Sequence, residues 1–254
     1  YGVLNNLPQV TCERFFAPEP DMDAALKNAK RTLFSLESGR QLVDFDLLGF
    51  SLGSELNYTN VLSILDLAGL PLLSSARGYN YPLAIAGGPC TLNPEPMADF
   101  FDLFIIGEAE EAIVELVDLY RKFKDDYKAS RITKEELLLK LSGIEGVYVP
   151  SLYLPSYDSA GELVGFSPRF KELPLKIKKR IVDDFNSAYF PCHWMVPYVQ
   201  TIHDRITLEI MRGCPNRCRF CQARSQYYPL RIRTKEKVTS LANLAYASSG
   251  YEEL

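Results

Sequence analysis

Three of the six cysteines lie in one short segment, MRGCPNRCRFCQA at residues 211–223. Cys214, Cys218 and Cys221 are separated by three and then by two residues. Three thiolates on one loop can bind three irons of a cubane iron–sulfur cluster, whereas full thiolate ligation uses four. The spacing therefore predicts a metal centre with one iron left for an outside ligand, like a catalytic metal that keeps one position open.

A zinc site is the alternative interpretation of these cysteines. Structural zinc takes four ligands, commonly from two paired Cys/His modules at characteristic spacing. The nearest outside candidates, Cys192 and His203, do not show that spacing. The pattern thus favours an iron–sulfur loop, and a zinc-stabilised basic module that binds RNA or protein is the second hypothesis.

A strand and a helix are predicted on the two sides of the loop. Residues 205–210 (RITLEI) favour a strand that leads directly into the cysteines, and residues 234–248 favour a helix after them. The surrounding stretch 169–237 holds 15 of the 28 Lys and Arg but only 6 of the 32 Asp and Glu, a local net charge of +9. A solvated basic face is the favoured interpretation, and an anionic partner such as a carboxylate, a phosphate or RNA is the functional alternative.

The first half of the chain alternates strand-like and helix-like segments. The predicted strands are 10–16, 43–52, 83–86 and 101–106, and the predicted helices are 22–33, 58–68 and 109–123. This alternation indicates an α/β fold with a doubly wound parallel sheet. Gly-rich turns follow two of the strands, and they would lie at the carboxyl edge of the sheet, where such folds bind ligands.

The middle of the chain predicts a helix, a hairpin and a linker. Thr133 and Glu136 form a capping-box pattern that opens a helix ending at Leu141. Residues 146–157 and 162–166 favour two strands joined by a turn. We therefore predict three parts, which are an α/β domain at 1–128, a helix, hairpin and linker at 129–200, and the start of a further domain at 201–254.

The composition is that of an ordinary globular protein, with 254 residues, 47% hydrophobic and 24% charged. No apolar run is long enough to span a bilayer, and no charged-then-apolar leader opens the chain at Tyr1. Crowded rather than dispersed cysteines favour a reducing compartment. We therefore predict a cytoplasmic internal fragment of a longer protein, without a membrane partner.

The cysteine loop resembles that of the radical S-adenosylmethionine (SAM) superfamily, including the aromatic Phe220 before the last cysteine. The resemblance implies that Cys214, Cys218 and Cys221 bind a 4Fe–4S cluster, whose open iron is chelated by the amino and carboxylate groups of SAM. It further implies an oxidoreductase or transferase that cleaves SAM reductively to a 5′-deoxyadenosyl radical. The electron would come from a reductant such as flavodoxin or ferredoxin.

Three residues around the loop also match positions of that superfamily. The resemblance implies that Phe220 lies near the adenine of SAM, and that Glu209 and Arg212 belong to the surroundings of SAM and the cluster. A full barrel of eight strand–helix units needs about 250 residues. Only one unit fits after Arg205, so we predict a truncated partial TIM barrel. This fragment would bind a cluster but turn over no substrate. The sequence does not identify the substrate of the whole protein.

The first half resembles the cobalamin-binding-type (flavodoxin-like) domain that precedes the barrel in one radical SAM subgroup. The resemblance is carried by DFDLLGFS at 44–51, AGGP at 86–89 and IGEAEE at 106–111, and RIRTKEKV at 231–238, after the cysteine loop, is also similar to that subgroup. An uncharacterised bacterial group has a similar layout. In that comparison the first strand of the sheet is missing from this chain, which also lacks the Asp-x-His-x-x-Gly loop of base-off cobalamin proteins.

The same resemblance implies a cobalamin edge at the Gly-rich turns. The residues concerned are Gly87, Gly88, Gly107 and Glu108, and cobalamin binding there is a hypothesis. The alternative is that these residues serve only the geometry of strand-to-helix turns, with acidic residues at a helix start.

Overall fold

The computed structural model describes residues 1–199, 202–203, 205–216 and 218–251. Arg217 of the cysteine loop therefore lies outside the described residues. The chain divides into two compact units, one formed by Tyr1 with Val3–Ile181 and one by Gly2 with the chain from Val182 onward. Within the described ranges, every helix is too short or too polar to cross a bilayer.

The first unit is a mixed α/β unit built on a four-stranded sheet. Its helices are α1 (Gly2–Asn5), α2 (Pro20–Asn28), α3 (Tyr58–Leu67), α4 (Ala112–Lys128) and α5 (Lys134–Leu141). Its strands are β1 (Leu47–Ser51), β2 (Leu83–Gly87), β3 (Leu103–Ile105), β4 (Val147–Tyr148), β5 (Tyr153–Tyr157) and β6 (Leu163–Pro168). The last two form a separate antiparallel hairpin.

The sheet keeps the chain order β1-β2-β3-β4. The first three strands are parallel, in agreement with the predicted parallel sheet. β4, which comes from the predicted hairpin segment 146–157, joins this sheet antiparallel to β3. β2 and β3 consist of buried apolar residues up to Gly87, as expected for parallel strands covered on both faces. In a doubly wound sheet the order of the strands reverses at one point across the sheet. The four described strands show no such reversal.

Three early predictions are corrected by the local structure. Residues 10–16 form no strand, because Glu13 and Arg14 bond the turn around Ser35 and Glu37 instead of a ladder. The helix predicted over 22–33 begins at Pro20 and ends at Asn28, since Lys30 takes a left-handed conformation with φ of 52°. The strand predicted over 43–52 is shorter, because a 3-10 turn occupies residues 42–44.

A buried ionic network lies at the amino ends of β2 and β3. The side chains of Arg77 and Asp102 are 1% and 0% exposed, and Nη2 of Arg77 lies 3.2 Å from Oδ2 of Asp102. The same oxygen accepts a 2.7 Å bond from the N–H of Ala84. Nζ of Lys134 lies 2.5 Å from the other carboxylate oxygen. Because buried charges need partners, this network joins α5 to both strands.

The predicted capping box is confirmed at the start of α5. The Thr133 hydroxyl accepts a bond from the N–H of Glu136, whose carboxylate accepts one from the N–H of Thr133. The hairpin prediction is confirmed for β5 and β6, while β4 joins the main sheet instead. The cap places Lys134 at the first helical position, from which its side chain reaches Asp102.

The second unit is a short ribbon with two helices. Its elements are β7 (Met211–Arg212), α6 (Ala223–Tyr227), β8 (Arg231–Ile232) and α7 (Lys235–Ser249). The predicted helix over 234–248 is confirmed, with Thr234 as its N-cap and Gly250 as a left-handed C-cap. The buried apolar side chains of this unit are few, and in the described residues they are Val182, Phe185, Ile206, Leu241 and Ala245.

The strand predicted over 205–210 is wrong, since the ladder begins only at Met211. RITLEI has strand-forming residues, but a strand also needs ladder bonds. Among the described residues, the one such bond of this segment is accepted by the Ile210 carbonyl from the N–H of Arg233 at 3.0 Å. β7 pairs antiparallel with β8. Barrel strands of the predicted kind are parallel, so the described ribbon is not itself such a barrel pair.

Candidate functional site

The cysteine loop leaves its ribbon through a tightly packed glycine. Gly213 has a φ of 99°. A Cβ at this position would lie 2.6 Å from the carbonyl oxygen of Pro229 and 2.7 Å from that of Tyr227. Only glycine combines this backbone conformation with so close an approach. The turn therefore fixes the chain immediately before Cys214.

The predicted acidic and basic residues before the loop form one ion pair. Nε and Nη2 of Arg212 donate to the two carboxylate oxygens of Glu209 at 2.8 and 2.9 Å. A two-bond pair of this kind fixes orientation as well as charge. The guanidinium also lies 5.0 Å from the ring centroid of Phe185, which is 2% exposed. The structure thus brings Glu209 and Arg212 together as part of the base of the loop.

A second arginine, Arg233, is buried beneath the same base and is 3% exposed. Its Nε donates to the carbonyl oxygen of Glu209 at 3.1 Å. Its Nη1 donates to the carbonyls of Asn186 and Ala188 at 3.0 and 3.2 Å. The guanidinium lies 4.4 Å from the Phe185 centroid, within cation–π distance. Arg233 therefore joins three segments of the unit by its side chain.

The tip of the loop is far more exposed than its base. Cys214 is half-buried, whereas Cys218 and Cys221 are exposed and Phe220 is 92% exposed. The N–H of Cys221 donates to the carbonyl of Cys218 at 3.2 Å, which makes a local turn. Over the part of the chain that the structure describes, no three Cys, His, Asp or Glu side chains are gathered closely enough to hold a metal ion.

The chemistry of this donor set nevertheless fits an iron–sulfur cluster. Three thiols within one loop match three irons of a cubane, and the two exposed ones are open to incoming metal. The described residues from Cys214 up to α6 have no regular secondary structure. The base of this loop is held by Glu209, Arg212 and Gly213 without any metal.

The remaining thiols belong to other parts of the structure. Cys90 is buried next to Tyr58, and burial raises the pKa of its thiol. Cys12 and Cys192 are half-buried. Cys90 is thus part of the buried core of the first unit.

The Gly-rich turn after β2 is packed against the end of β1. Gly88 has a φ of 100°, and a Cβ there would lie 2.9 Å from the carbonyl oxygen of Leu52. The buried hydroxyl of Thr91 donates to the carbonyls of Gly88 and Ile105. At Gly87 a Cβ would meet nothing within 4 Å. Close backbone packing thus explains the glycine at 88 without a ligand.

The turn after β3 is covered by a later segment of the same chain. The N–H of Arg180 donates to the carbonyl of Ile106 at 2.8 Å, and the N–H of Glu108 donates to the carbonyl of Arg180 at 3.0 Å. A Cβ on Gly107, whose φ is 104°, would lie 2.2 Å from that Arg180 oxygen. The backbone of Arg180 therefore occupies the carboxyl end of β3.

The side chain of Arg180 completes this attachment. Its Nη2 lies 2.7 Å from carboxylate oxygens of both Glu111 and Glu115 near the start of α4. These hydrogen bonds, chiefly the one to Glu111, raise the pKa of Arg180 above its usual value. The acidic residues of the IGEAEE motif thus bind a basic residue of the chain itself. With Glu108 9% exposed under this segment, the end of β3 does not fit a corrinoid.

Sequence reasoning missed both Arg233 and Arg180, although the sequence around Arg233 carries a signal. Arg231 and Arg233 alternate with Ile232, which is 63% exposed while Arg233 is buried. A segment that buries an arginine beside a half-buried one and exposes the isoleucine between them reverses the usual pattern, and that reversal marks a polar base. Arg180 carries no such signal, because it lies in a run of Lys and Arg that resembles any solvated linker.

Comparison with known proteins identifies the family. Residues 1–150 match the family described as radical SAM proteins, N-terminal. The chain belongs to this family. It is also 33% identical over 212 residues to an uncharacterized protein of Methanocaldococcus jannaschii, a match that covers 83% of this chain and 37% of that protein.

This family membership supports the radical SAM prediction at the level of the superfamily. The match to the family ends at residue 150, well before the cysteine loop. The chain spans about 37% of the length of the curated relative it matches, and that relative is uncharacterized. Neither comparison assigns the cluster ligands, a substrate or a corrinoid.

Proposed function

We propose that this chain is the N-terminal part of a radical SAM enzyme whose 4Fe–4S cluster is bound by Cys214, Cys218 and Cys221. The observation that carries the proposal is a three-cysteine loop on a fixed ribbon in a chain of this family. When bound, the cluster would supply the reductive cleavage of SAM. The three thiolates leave one iron for SAM, as a catalytic metal site requires.

The other residues of the loop have simpler roles in this proposal. Arg212 and Glu209 neutralise each other and orient the base of the loop. Phe220, exposed beside Cys221, is available to stack on the adenine of SAM. A flavodoxin or ferredoxin would deliver the electron in the cytoplasm, and the substrate, whether a small molecule or a macromolecule such as RNA, would be selected elsewhere in the whole protein.

We further propose that the α/β unit is a cobalamin-type domain that serves as structure rather than as a corrinoid site. The support is the Arg180 segment, which fills the end of β3 at Gly107 and Glu108. A doubly wound arrangement would need a strand beside β1, the edge of the described sheet. Hydroxocobalamin titration of the whole protein tests this, and a spectral shift with retention on gel filtration would contradict it.

The segment from Arg205 through α7 is, in this proposal, the first strand–helix unit of a partial barrel. The support is the order of the chain, in which residues 205–210 lead into the cysteine loop and two helices, α6 and the capped α7, come after it. In the whole protein, further parallel strands would give residues 205–210 the ladder partners that the described residues do not provide.

Anaerobic reconstitution with iron and sulfide tests the proposed function. The chain should take up about four irons per protein, and its reduced form should give a 4Fe–4S EPR signal that changes when SAM is added. The triple variant with Ala at 214, 218 and 221 should lose this signal. Stoichiometric zinc uptake without a cluster would refute the proposal and favour a basic module that binds RNA or protein.

A further inference from the structure

The base of the cysteine loop is organised by a residue outside the loop. Every residue from 209 to 213 is bound to the return segment 227–233, by ladder pairing, by the Glu209 carbonyl or by the packing of Gly213. Arg233 contributes two of these links, through its N–H to Ile210 and its Nε to Glu209. Cys214 follows directly, and it is the one half-buried cysteine of the loop.

The chemistry of Arg233 suits this role better than a lysine would. Its planar guanidinium donates in two directions at once, to Glu209 and to the carbonyls of Asn186 and Ala188. It stacks above Phe185, and its Nη2 lies 3.9 Å from the Glu209 carboxylate. A lysine ammonium is a compact point charge without a fixed fork of donors, so it would not hold all three segments.

We propose that Arg233 is a positioning residue for Cys214. By holding the base of the loop, Arg233 fixes the position of Cys214 before any metal binds. This inference deepens the proposed function and rests on it. Metal binding to a flexible loop must offset the conformational entropy of ordering each ligand. A base that is already ordered removes part of that cost for Cys214, so that only Cys218 and Cys221 have to be gathered.

The first measurement uses the 254-residue chain without metal. Under anaerobic, reducing conditions iodoacetamide alkylates free thiols, and peptide mass spectrometry gives a separate rate for each cysteine. In the wild type, Cys214 should react more slowly than the exposed Cys218 and Cys221. In Arg233→Lys the Cys214 rate should rise towards theirs, while Cys90 stays protected as evidence that the first unit is folded.

Two control variants separate positioning from general damage. Arg205→Lys changes an exposed arginine of the same unit, and Arg77→Lys changes an equally buried arginine of the other unit. Both should leave the ratio of Cys214 to Cys218 alkylation at the wild-type value. If Arg233→Lys does not fold, Phe185→Leu replaces it, because leucine keeps an apolar side chain but removes the ring on which the guanidinium stacks.

The second measurement is iron titration during reconstitution of the same proteins. Changes to residues that orient metal ligands commonly reduce affinity by about 10–100-fold, so Arg233→Lys should need about tenfold more iron for half-loading. An unchanged alkylation ratio together with wild-type iron loading would overturn the inference while leaving the proposed function intact. A wild-type chain that binds no cluster would refute the proposed function, and with it the role of Arg233 towards a cluster ligand.

Discussion

The two units of this chain each bury an arginine, and the partners of the two arginines differ. In the first unit, Arg77 faces the carboxylate of Asp102, which is fully buried and also binds Lys134. In the second, Arg233 is bound mainly by main-chain carbonyls and by the faces of two phenylalanine rings. Arg77 also donates to the main-chain carbonyls of Pro71, Leu72 and Phe100, so the first arrangement is distinguished by a fully buried carboxylate that must stay paired. In the second, the Glu209 carboxylate lies 3.9 Å from the Arg233 guanidinium and is partly exposed.

This difference indicates what each network contributes. Around Arg77 lies the main apolar core of the protein, so its ion pairs join elements that hydrophobic burial already stabilises. Around Arg233 few apolar side chains are buried, and the guanidinium itself sets the geometry of the loop base. We therefore expect changes in the first network to lower stability and changes in the second to disturb the cysteine loop.

The largest expected effect is that of Asp102→Asn. The substitution keeps the shape of the side chain but leaves Arg77 as a buried charge without its carboxylate. Breaking one partner out of a buried pair costs about 3–5 kcal/mol, and the free energy of unfolding in urea should fall by that amount. Asp46→Asn is the control, because its ion pair with Lys124 is about 40% exposed and should cost less than about 1 kcal/mol.

An Asp102→Asn protein as stable as the Asp46→Asn control would mean that the buried network is held by its main-chain hydrogen bonds alone. The two networks would then be alike in kind, and the comparison would fail. The Arg233→Lys variant completes the test, since its effect should be seen in the alkylation of Cys214.

A second comparison concerns the two glycines that receive another segment of backbone. At Gly107 and Gly213 φ is close to 100°, and a Cβ would lie within 2.6 Å of a carbonyl oxygen. Gly107→Ala should lower the free energy of unfolding by roughly 2–4 kcal/mol, from backbone strain and overpacking. Gly213→Ala should instead raise the alkylation rate of Cys214, because it displaces the base of the loop.

Gly39→Ala is the control for both, since Gly39 also has a positive φ of 69° but a Cβ there would meet nothing within 4 Å. It should show only the strain of the backbone, about 1 kcal/mol. If Gly107→Ala loses no more stability than this control, the Arg180 segment can move away from β3 at little cost in free energy. The end of β3 would then be open to a ligand after all.

The sequence predicted those features that depend on neighbouring residues. The capping box at Thr133, helix α3 and the buried strand β2 each rest on patterns within a few residues, and all are present. Glu209 and Arg212 were predicted to lie around the cysteine loop, but their ion pair is visible only in the structure. The first half of the chain could therefore be assigned to an α/β fold from its periodicity alone.

The features that sequence did not predict depend on pairing between distant segments. RITLEI has the composition of a strand, but whether it becomes one depends on partners that composition does not reveal. The glycine at 107 indicates a close approach, but nothing in the sequence says that Arg180 makes it. Similarly, Asp102 and Lys134 look like surface residues until the fold brings both to Arg77.

The pH dependence of stability gives a third, smaller effect in the first unit. Tyr127 is fully buried, and desolvation, aided by the negative charge of Asp102, raises its pKa to about 12. The folded state therefore holds this proton more tightly than the unfolded state, whose tyrosines titrate near about 10. The resulting stability is present below pH 10 and is lost as the pH rises towards 12, by about 1–3 kcal/mol.

Urea unfolding at pH 8 and at pH 11.5 measures this loss, and Tyr127→Phe should reduce it. The hydroxyl of Tyr127 has no hydrogen-bond partner within the described residues, so its removal should not lower stability at pH 8. Tyr157→Phe, at an exposed position, should follow the wild-type curve. Identical pH dependence in all three proteins would exclude Tyr127 as the titrating group.

The smallest expected difference is between the two helix caps that adjoin the buried networks. Thr133 caps α5 next to Lys134 with a reciprocal bond from Glu136, whereas Thr234 caps α7 next to Arg233 with a single 3.3 Å bond from Lys237. Loss of a threonine cap costs about 0.5–2 kcal/mol. Thr133→Ala should lie near the middle of that range, and Thr234→Ala near its lower end, since no acidic residue completes a box.

Urea unfolding monitored by circular dichroism measures both losses, with the alkylation ratio of Cys214 recorded beside it. Thr234 also donates its N–H to the side chain of Asn186, a bond that alanine retains, so the ratio should stay at the wild-type value in Thr234→Ala. A rise as large as that in Arg233→Lys would locate the control of the loop base in the start of α7. The Arg233 guanidinium would then be only one of the groups that hold the base of the loop, and the start of α7 would be another.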